Sequence, residues 1–305
     1  MTHRYIRTHA RCAQWQANHV YSVGDRCVCT QGYAGGDRFQ WVYECTTGGT
    51  SHAATQPTWP ASGTVNDNGV IWTTRTPTTW ANASPYLHYI MSTLYTIWTA
   101  GDYFWIANDA VSERTDADMS IGNNAWNLGD PTVPTFIIST DDTAHEPPET
   151  YSPGAILRAR TGMQIHAYAL NFHGIQFDIG DGAVSGTPCF KASHDDNYSF
   201  GTPSTYRDCT FRLRRAATDC QIKLGTGRDD YGYHADTLID CAVDFTHAGQ
   251  SIRLGQGHVD WRGGSVTGTA PTTLFKGVNA GLNASADLAG LDLSLVTGNL
   301  FDGPP

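Results

Sequence analysis

The sequence is poor in charge and lacks clustered basic residues. Of its 305 residues, 16% are Asp, Glu, Lys or Arg, and the formal net charge is −10. One local basic group, Arg212, Arg214 and Arg215, is interpreted as a solvated strand edge. Because binding to nucleic-acid phosphates needs clustered Lys and Arg, this composition argues against a nucleic-acid partner.

Long apolar segments are missing as well. No apolar run approaches the roughly 20 residues of a membrane-spanning helix, so membrane insertion is not expected. The N-terminal stretch MTHRYIRTHARCAQW lacks the apolar segment of a secretory signal peptide. We therefore expect a chain that is assembled in the cytoplasm and is either retained there or released without that signal.

Sequence signatures of several catalytic and metal sites are also absent. There is no G-x-S-x-G elbow for a Ser/His/Asp triad and no D-x-D-x-D-G calcium loop. The 12 histidines are scattered without metal-ligand spacing. No cofactor and no metal are predicted.

The eight cysteines fall into two groups, an early one and a late one. In the early group, a single residue separates Cys27 from Cys29, which is closer than the spacing of about two to four residues in structural zinc sites. We expect structural thiols or one or two disulfides in preference to a metal centre. The two groups are Cys12, Cys27, Cys29 and Cys45, and Cys189, Cys209, Cys220 and Cys241.

Abundant Gly, Thr, Ser, Asn and Asp favour an all-β chain with many turns. Residues 1–74 predict a small aromatic-rich β module, because short apolar alternations are separated by turn sequences such as Asn66-Asp67-Asn68-Gly69. Residues 75–85, rich in Thr and Pro, are expected to be an extended linker. Residues 86–100 predict a helix with Ser84 as N-cap and apolar residues at helical spacing.

Residues 101–305 predict a right-handed parallel β-helix. Short apolar strands recur, and a small-residue step precedes several of them at intervals of about 23 to 35 residues, which suits one solenoid coil each. A β-sandwich also has alternating strands and is the alternative fold. The helix at 86–100 then has a role, because it can cap the unpaired edge of the first coil. The second residues of these steps are Gly174, Cys209, Cys241, Gly264 and Gly290.

Short motifs carry two resemblances. Those of the first region are Trp15, Tyr21-Ser22-Val23-Gly24-Asp25, Tyr43-Glu44-Cys45, Gly48-Gly49-Thr50-Ser51, Pro57-Thr58-Trp59-Pro60 and Gly69-Val70-Ile71-Trp72, and that of the remainder is Gly101-Asp102-Tyr103-Phe104-Trp105-Ile106-Ala107. The first region is similar to small β modules of bacteriophage tail and fibre proteins and to chitin-binding modules of carbohydrate-binding families 5 and 12. The remainder resembles right-handed parallel β-helix proteins of phage virions, which implies a homotrimer on the virion surface.

One departure bears on Trp59 and Trp72, the candidate sugar-binding residues of the module. Chitin-binding modules carry adjacent exposed aromatics after the Tyr-x-Cys strand, whereas this sequence has TTGGTSHAATQ there. The aliphatic content of the region is low, so aromatic rings must supply its core. Trp59 and Trp72 are therefore expected in the core, with Trp72 facing inward and Trp59 packing over the edge.

Phage β-helices include polysaccharide depolymerases, so paired acids in the predicted coils are candidate catalysts. Glycoside hydrolysis uses two carboxyl groups about 5 to 9 Å apart. The best candidates are His194, Asp195, Asp196, Asp229 and Asp230, with Lys191 or Arg228 as basic groups for a lyase. Most aspartates here flank Gly, Asn or Tyr, as turn residues do, and Asp208 and Asp240 share a repeat position, which favours structural roles.

The leading hypothesis is a structural, non-enzymatic phage protein: a homotrimeric decoration, cement or fibre component at the virion surface that binds capsid or tail proteins. The alternative is a receptor-binding tailspike that recognises or depolymerises a host surface glycan as a hydrolase or lyase. A third hypothesis is a free carbohydrate-binding protein of bacterial origin.

Overall fold

The fold is given by a computed structural model, which describes residues 1–7, 13–30, 41–60, 62–84, 87, 91, 99–114, 119–121, 133–143, 145–160, 162–165, 169–180, 189–192, 204–214, 220–225, 235–254, 257–277 and 285–302. Their strands are β1 (His3–Ile6), β2 (Val20–Tyr21), β3 (Arg26–Cys27), β4 (Val42–Thr47), β5 (Gly49–Thr50), β6 (Thr64–Asp67), β7 (Val70–Arg75), β8 (Tyr103–Ala107), β9 (Val111–Arg114), β10 (Met119–Ile121), β11 (Thr135–Thr140), β12 (Ile156–Ala159), β13 (Met163–Ile165), β14 (Leu170–His173), β15 (Gln176–Ile179), β16 (Phe190–Lys191), β17 (Ser204–Arg207), β18 (Thr210–Leu213), β19 (Gln221–Leu224), β20 (Ala235–Phe245), β21 (Ser251–Leu254), β22 (His258–Gly268), β23 (Thr273–Lys276), β24 (Ser285–Ala289) and β25 (Asn299–Asp302).

The predicted all-β class is confirmed, and most strands belong to two large parallel sheets. The larger sheet has 12 strands and consists of two series that meet at β20. The first series is β1-β8-β11-β14-β17-β20, and the second is β9-β12-β15-β18-β20. From β20 the sheet continues through β22 to β24. A seven-stranded sheet has the order β10-β13-β16-β19-β21-β23-β25. Successive passes of the chain thus add one strand to each series, an arrangement compatible with a β-helix.

Alternating side chains build the core between these sheets. In β18 and β19, the sequences TFRL and QIKL bury every second residue, because neighbouring side chains of a strand point to opposite faces. Buried residues at equivalent positions then stack along the parallel series. Phe177 and Phe211 are register partners with ring centroids 5.0 Å apart, and Phe172 and Tyr206 stack at 5.2 Å.

The predicted small-residue steps mark corners of the backbone. The φ angles at these corners lie between 51° and 69°, in the left-handed region. The corner residues are Gly174, Asp208, Asp240, Gly263 and Gly290. Asp tolerates this conformation better than most non-glycine residues, and glycine adopts it without a steric penalty. The expected structural role of Asp208 and Asp240 at equivalent repeat positions is confirmed.

The start of the chain and the expected linker both pack against the parallel sheet. Strand β1, which lies within the range 1–74 assigned to the module, pairs with β8. Residues 75–84 are packed rather than extended: Trp80, in a short 3-10 helix (Trp80–Asn82), is buried with its ring 4.8 Å from that of Tyr5. The Thr and Pro content indicated an extended segment, but burial of Trp80 in the main core holds it against β1.

The small module is an antiparallel sheet with the order β3-β4-β7-β6, flanked by the β2-β5 pair. The expected tight turn connects β6 and β7, where Asn68 and Gly69 have φ of 52° and 97°. Trp15, Tyr21, Tyr43, Trp59 and Trp72 belong to its core cluster. Aromatic rings thus provide most of the apolar packing of the module.

The helix predicted over 86–100 lies mainly outside the described residues. Within it, Leu87 and Met91 are fully buried in the main core. The Met91 N–H donates to the Leu87 carbonyl at 3.0 Å, and the Leu87 N–H donates to Ser112 Oγ at 3.1 Å. The second of these hydrogen bonds places Leu87 against β9.

Cysteines serve the core in two ways. Cys189 and Cys220 form a disulfide between the positions preceding β16 and β19. Cys209 and Cys241 are buried thiols that directly follow the left-handed corners at Asp208 and Asp240, and Cys27 and Cys45 are buried thiols of the module. Burial raises the pKa of the Cys27 thiol above its ordinary value, which favours the uncharged thiol within the module core.

Candidate functional site

The candidate catalytic residues lie outside the described part of the chain. His194, Asp195 and Asp196 follow β16, and Asp229 and Asp230 follow β19. Strands β16 and β19 are themselves adjacent and parallel, with Lys191 opposite Lys223. The structure therefore places the strands that lead into both groups next to each other and gives no geometry for the acids.

Trp59 and Trp72 lie in the interior of the module. Both side chains have a relative exposure of 0%, so neither ring presents a face to solvent. Asp67 Oδ2 accepts hydrogen bonds from the indole N–H of Trp15 at 2.7 Å and of Trp72 at 3.3 Å. The Trp59 indole N–H donates to Gln56 Oε1 at 3.0 Å. Trp59 is thus buried more deeply than the expected packing over the edge.

Several aspartates of the parallel sheets have structural partners. Asp178 is fully buried and accepts from Arg158 Nε at 2.9 Å and from Arg214 Nε. Asp244 accepts from Arg212 Nε at 2.7 Å. Arg212 and Arg214, interpreted from sequence as a solvated strand edge, therefore neutralise carboxylates of neighbouring strands. These carboxylates and guanidiniums alternate along one side of the 12-stranded sheet.

The seven-stranded sheet carries a column of a different kind on its outer face. Lys191, Lys223, Arg253 and Lys276 are consecutive register partners on β16, β19, β21 and β23. The residue before each of them, namely Phe190, Ile222, Ile252 and Phe275, is fully buried. The cations are each half-buried, as alternation requires of the outward position. We call these four residues the basic column.

Lys223 has a lowered pKa because of its place in this column. Burial shifts the pKa from its ordinary 10.5 to about 8, and the positive charges of Arg253 and Lys191 add to the shift. Near neutral pH the ammonium still carries its charge. The column is therefore a row of closely spaced cations on which charge is costly to maintain.

An aromatic group covers the first passes of the 12-stranded sheet. His3, Tyr103 and Phe136 are register partners whose rings stack at 5.4 and 4.8 Å. The Trp105 indole N–H donates to His3 Nδ1 at 2.9 Å, and burial lowers the pKa of His3. Both effects favour a neutral imidazole, which suits a packed aromatic surface at this end of the sheet.

Comparison with known protein families, with curated proteins and with solved structures finds no match to this chain. Among the described residues, no group of three or more His, Cys, Asp or Glu side chains is placed to hold a metal ion. The described part of the chain also contains no helix long and apolar enough to cross a membrane.

The basic column was not found from the sequence, although a signal for it exists. Its members are spaced so far apart that no local cluster is visible. Each, however, directly follows a buried apolar residue within a short strand, in FK, IK, IR and FK. Aligning the coils by their inward residues would have brought these cations into one line.

Proposed function

We propose that this chain is a structural protein of a bacteriophage particle surface, built as a right-handed parallel β-helix that associates as a homotrimer. The resemblance of the module and of the β-helical region to phage virion proteins motivates the setting. The two parallel sheets, to which each pass of the chain adds a strand, support a stiff body suited to decoration, cementing or fibre roles.

Residues 86–100 act in this proposal as a cap on the first coil. Burial of Leu87 and Met91 in the main core, together with the hydrogen bond from Leu87 to Ser112, supports that position. A cap at this end protects strand edges that would otherwise pair with other chains.

The observation that carries the assembly part of the proposal is the surface of the last pass. Strands β24 and β25 are terminal in their sheets within the described residues. Phe301, 52% exposed, stacks on Phe275 with centroids 5.1 Å apart. Leucines of the final pass are partly buried against the core, so association would remove further apolar surface from water: Leu288, Leu291, Leu293, Leu295 and Leu300.

Light scattering during size-exclusion chromatography tests the assembly. The expected mass is that of a trimer of 33.1 kDa chains, and Phe301→Glu is expected to shift it toward monomer. Val23→Glu is the matched control, because Val23 is also exposed but lies in the module. A monomeric wild-type protein at micromolar concentration would contradict the trimer.

Labelling the protein on purified phage particles tests the setting. Antibody-gold particles distributed over the capsid or tail are expected, because a structural component stays with the virion. If the chain is absent from particles and present only in the lysate, the proposal of a virion protein is wrong.

A further inference from the structure

A cavity of about 200 Å³ lies where the small module meets the segment at 75–84 and the residues after β1. The module contributes side chains of β3 and β4 and of the residues beside them, among them Arg26, Val28 and Val42. The opposite wall comes from Arg7, which directly follows β1, and from Trp80 and its neighbours in the short 3-10 helix. We call this space the junction cavity. Ligand pockets occur preferentially at such boundaries between structural units.

The junction cavity has an apolar floor and a mouth that faces solvent. Val28 and Val42 are buried, and Cys27 beside them keeps an uncharged thiol because burial raises its pKa. Arg26 and Ala81 are exposed residues of the lining, so they lie at the mouth. A ligand that fills this space therefore needs an apolar body for the floor and a polar end near the arginines.

Two arginines give the junction cavity its charge. Arg7 and Arg26 are the charged residues among the described residues that line it, and no acid joins them there. Their ion-pair partners stand outside the lining: Arg7 Nε lies 2.8 Å from Asp142 Oδ2, and Arg26 Nη2 donates to Glu44 Oε2 at 2.9 Å. A guanidinium has five N–H groups, so these pairs orient both arginines and leave donors for a further acceptor.

Two buried donors of the same wall lack an acceptor. The Trp80 side chain lies in a residue that is 5% exposed, and its indole N–H has no hydrogen-bond partner. Arg7 Nε has none either, because its contact with Asp142 is not aligned as a hydrogen bond. The Arg7 guanidinium lies over the Trp80 ring, 5.3 Å from its centroid, so the two groups are neighbours. Unpaired buried donors are rare and cost free energy, which indicates an acceptor from outside the described residues.

We propose that the junction cavity binds a small organic monocarboxylate, with its carboxylate toward Arg7 and Arg26 and its apolar body on the floor. A planar guanidinium matches a carboxylate in shape and makes strong charge-assisted hydrogen bonds to it. A water molecule occupies about 30 Å³ in the liquid, so the cavity has room for about seven waters or for one acid of the size of benzoate. This site goes beyond the structural role proposed above and does not depend on it, because its walls belong to one chain.

An inorganic anion is the competing occupant, and the observations favour it less. Phosphate presents oxygen atoms on every side, and those that lie against Val28 and Val42 would lose their hydrogen bonds to water without replacement. The floor thus selects for a molecule that is charged at one end only.

Isothermal titration of the full chain with benzoate at low salt tests the proposal. We expect saturable binding with one benzoate per chain, which weakens as salt rises. Benzamide has nearly the same shape without the charge, and we expect it to bind at least about tenfold more weakly because it makes no charge-assisted hydrogen bond. We expect no saturable binding of inorganic phosphate.

Two substitutions separate a direct contact from an effect on Glu44. Arg26→Gln is expected to weaken benzoate binding by about tenfold or more, because Arg26 lines the cavity. Arg75→Gln is the matched control: Arg75 also donates to Glu44, at 3.1 and 3.2 Å, but it does not belong to the lining. We expect this control to keep its affinity within about twofold.

A substitution at the mouth tests the location of the site. Ala81→Phe places a large side chain at an exposed position of the lining, so it is expected to abolish benzoate binding without disturbing the core. Ala53→Phe adds the same side chain at an exposed position of the module outside the lining and is expected to bind as the wild-type protein does. Saturating benzoate should raise the thermal midpoint of the wild-type protein and of Ala53→Phe, but not that of Ala81→Phe. The same melting curves show that each variant is folded.

Any of four results would overturn the proposal. They are the absence of saturable benzoate binding by the wild-type protein, equal binding of benzamide, unchanged binding by Ala81→Phe, and equal weakening by Arg26→Gln and Arg75→Gln. Displacement of benzoate by an equal concentration of phosphate would assign the cavity to inorganic anions and would also contradict it. None of these results bears on the mass measured by light scattering, so failure of this inference is distinguishable from failure of the proposed assembly.

Discussion

Gly264 lies against the backbone of Cys241 on the neighbouring strand. The two residues are register partners, and a Cβ on Gly264 would lie 1.9 Å from the Cys241 carbonyl oxygen. The φ of Gly264 is 88°, a conformation that other L-residues rarely adopt. Close stacking of successive corners therefore requires glycine at this position.

Replacing this glycine is expected to weaken the parallel sheets severely. Gly264→Ala combines a clash with fixed backbone and an unfavourable φ, so we expect a loss of about 2–5 kcal/mol in the free energy of unfolding. Gly290→Ala is the control, because Gly290 also has a positive φ but its Cβ would meet nothing nearer than 4.0 Å. Denaturant unfolding monitored by circular dichroism measures both, and equal losses would show that the contact with Cys241 is unimportant.

Trp72→Ala is expected to unfold the small module. Trp72 is fully buried, and its ring contacts those of Tyr21 and Trp59 at 4.6 and 5.8 Å. Truncation of a buried tryptophan costs about 3–5 kcal/mol, which is large for a module of this size. Calorimetry should show loss of one transition while that of the parallel sheets remains. Val20→Ala, at a position 68% exposed, is expected to leave both transitions in place.

The alternative for this residue is direct sugar binding. If Trp72→Ala keeps the module folded and abolishes affinity for a chitin oligosaccharide, the structural interpretation of Trp72 is wrong. Near-ultraviolet circular dichroism distinguishes the two cases, because packed aromatic rings give it a strong signal.

Asp178 is expected to stabilise the sheet through its two arginines. The carboxylate is fully buried, whereas the Arg158 and Arg214 side chains are 29% and 35% exposed and can turn toward water when Asp178 is removed. We therefore expect Asp178→Ala to cost about 1–3 kcal/mol. Asp260→Ala breaks a pair with an arginine that is 65% exposed and is expected to cost about 0–1 kcal/mol. Denaturation midpoints of both variants check the order.

The disulfide between Cys189 and Cys220 closes a loop with a sequence separation of 31. A loop of that length corresponds to about 3–4 kcal/mol of stabilisation in the chain-entropy description. Reduction of the wild-type protein is expected to lower its thermal midpoint to that of Cys189→Ala/Cys220→Ala. The double variant itself should not respond to reductant, and a response would indicate another reducible bond.

Lys223 is expected to titrate apart from the other lysines. Its pKa is about 8 in the folded protein, below the 10.5 of an ordinary lysine, so the unfolded chain binds more protons between these values. Stability should therefore rise with pH through this window. Reductive methylation with carbon-13 and nuclear magnetic resonance can follow each lysine signal separately, since the chain has three. Lys223→Gln should remove both the low-pKa signal and the rise in stability. A signal titrating near 10.5 would contradict the effect of the column.

Local patterns predicted much of the fold. Alternation in segments such as YFWIA and TFIIS indicated strands that the structure contains as β8 and β11. The repeated small-residue steps located the left-handed corners, because only a few residue types tolerate positive φ. The same reasoning indicated that Asp208 and Asp240 belong to turns.

Long-range packing determined the burial and the strand partners that local patterns did not predict. The Thr- and Pro-rich segment at 75–84 looked extended, yet burial of Trp80 beside Tyr5 holds it against the sheet. Strand β1 pairs with β8, and its register partners, such as His3 and Tyr103, are far apart in the sequence, so no local signal specifies this pairing. Pairing between distant strands depends on the complementarity of whole faces, which a linear pattern does not contain.

The sequence by itself determined the all-β class, the strand segments and the aromatic character of the module, because these follow from side-chain alternation and backbone preference at each position. The tertiary structure decided which residues share a face. Lys191, Lys223, Arg253 and Lys276 are scattered along the chain, and parallel pairing in register brings them into one column. Electrostatic interactions act through space, so a charged surface of this kind exists only after the strands have stacked.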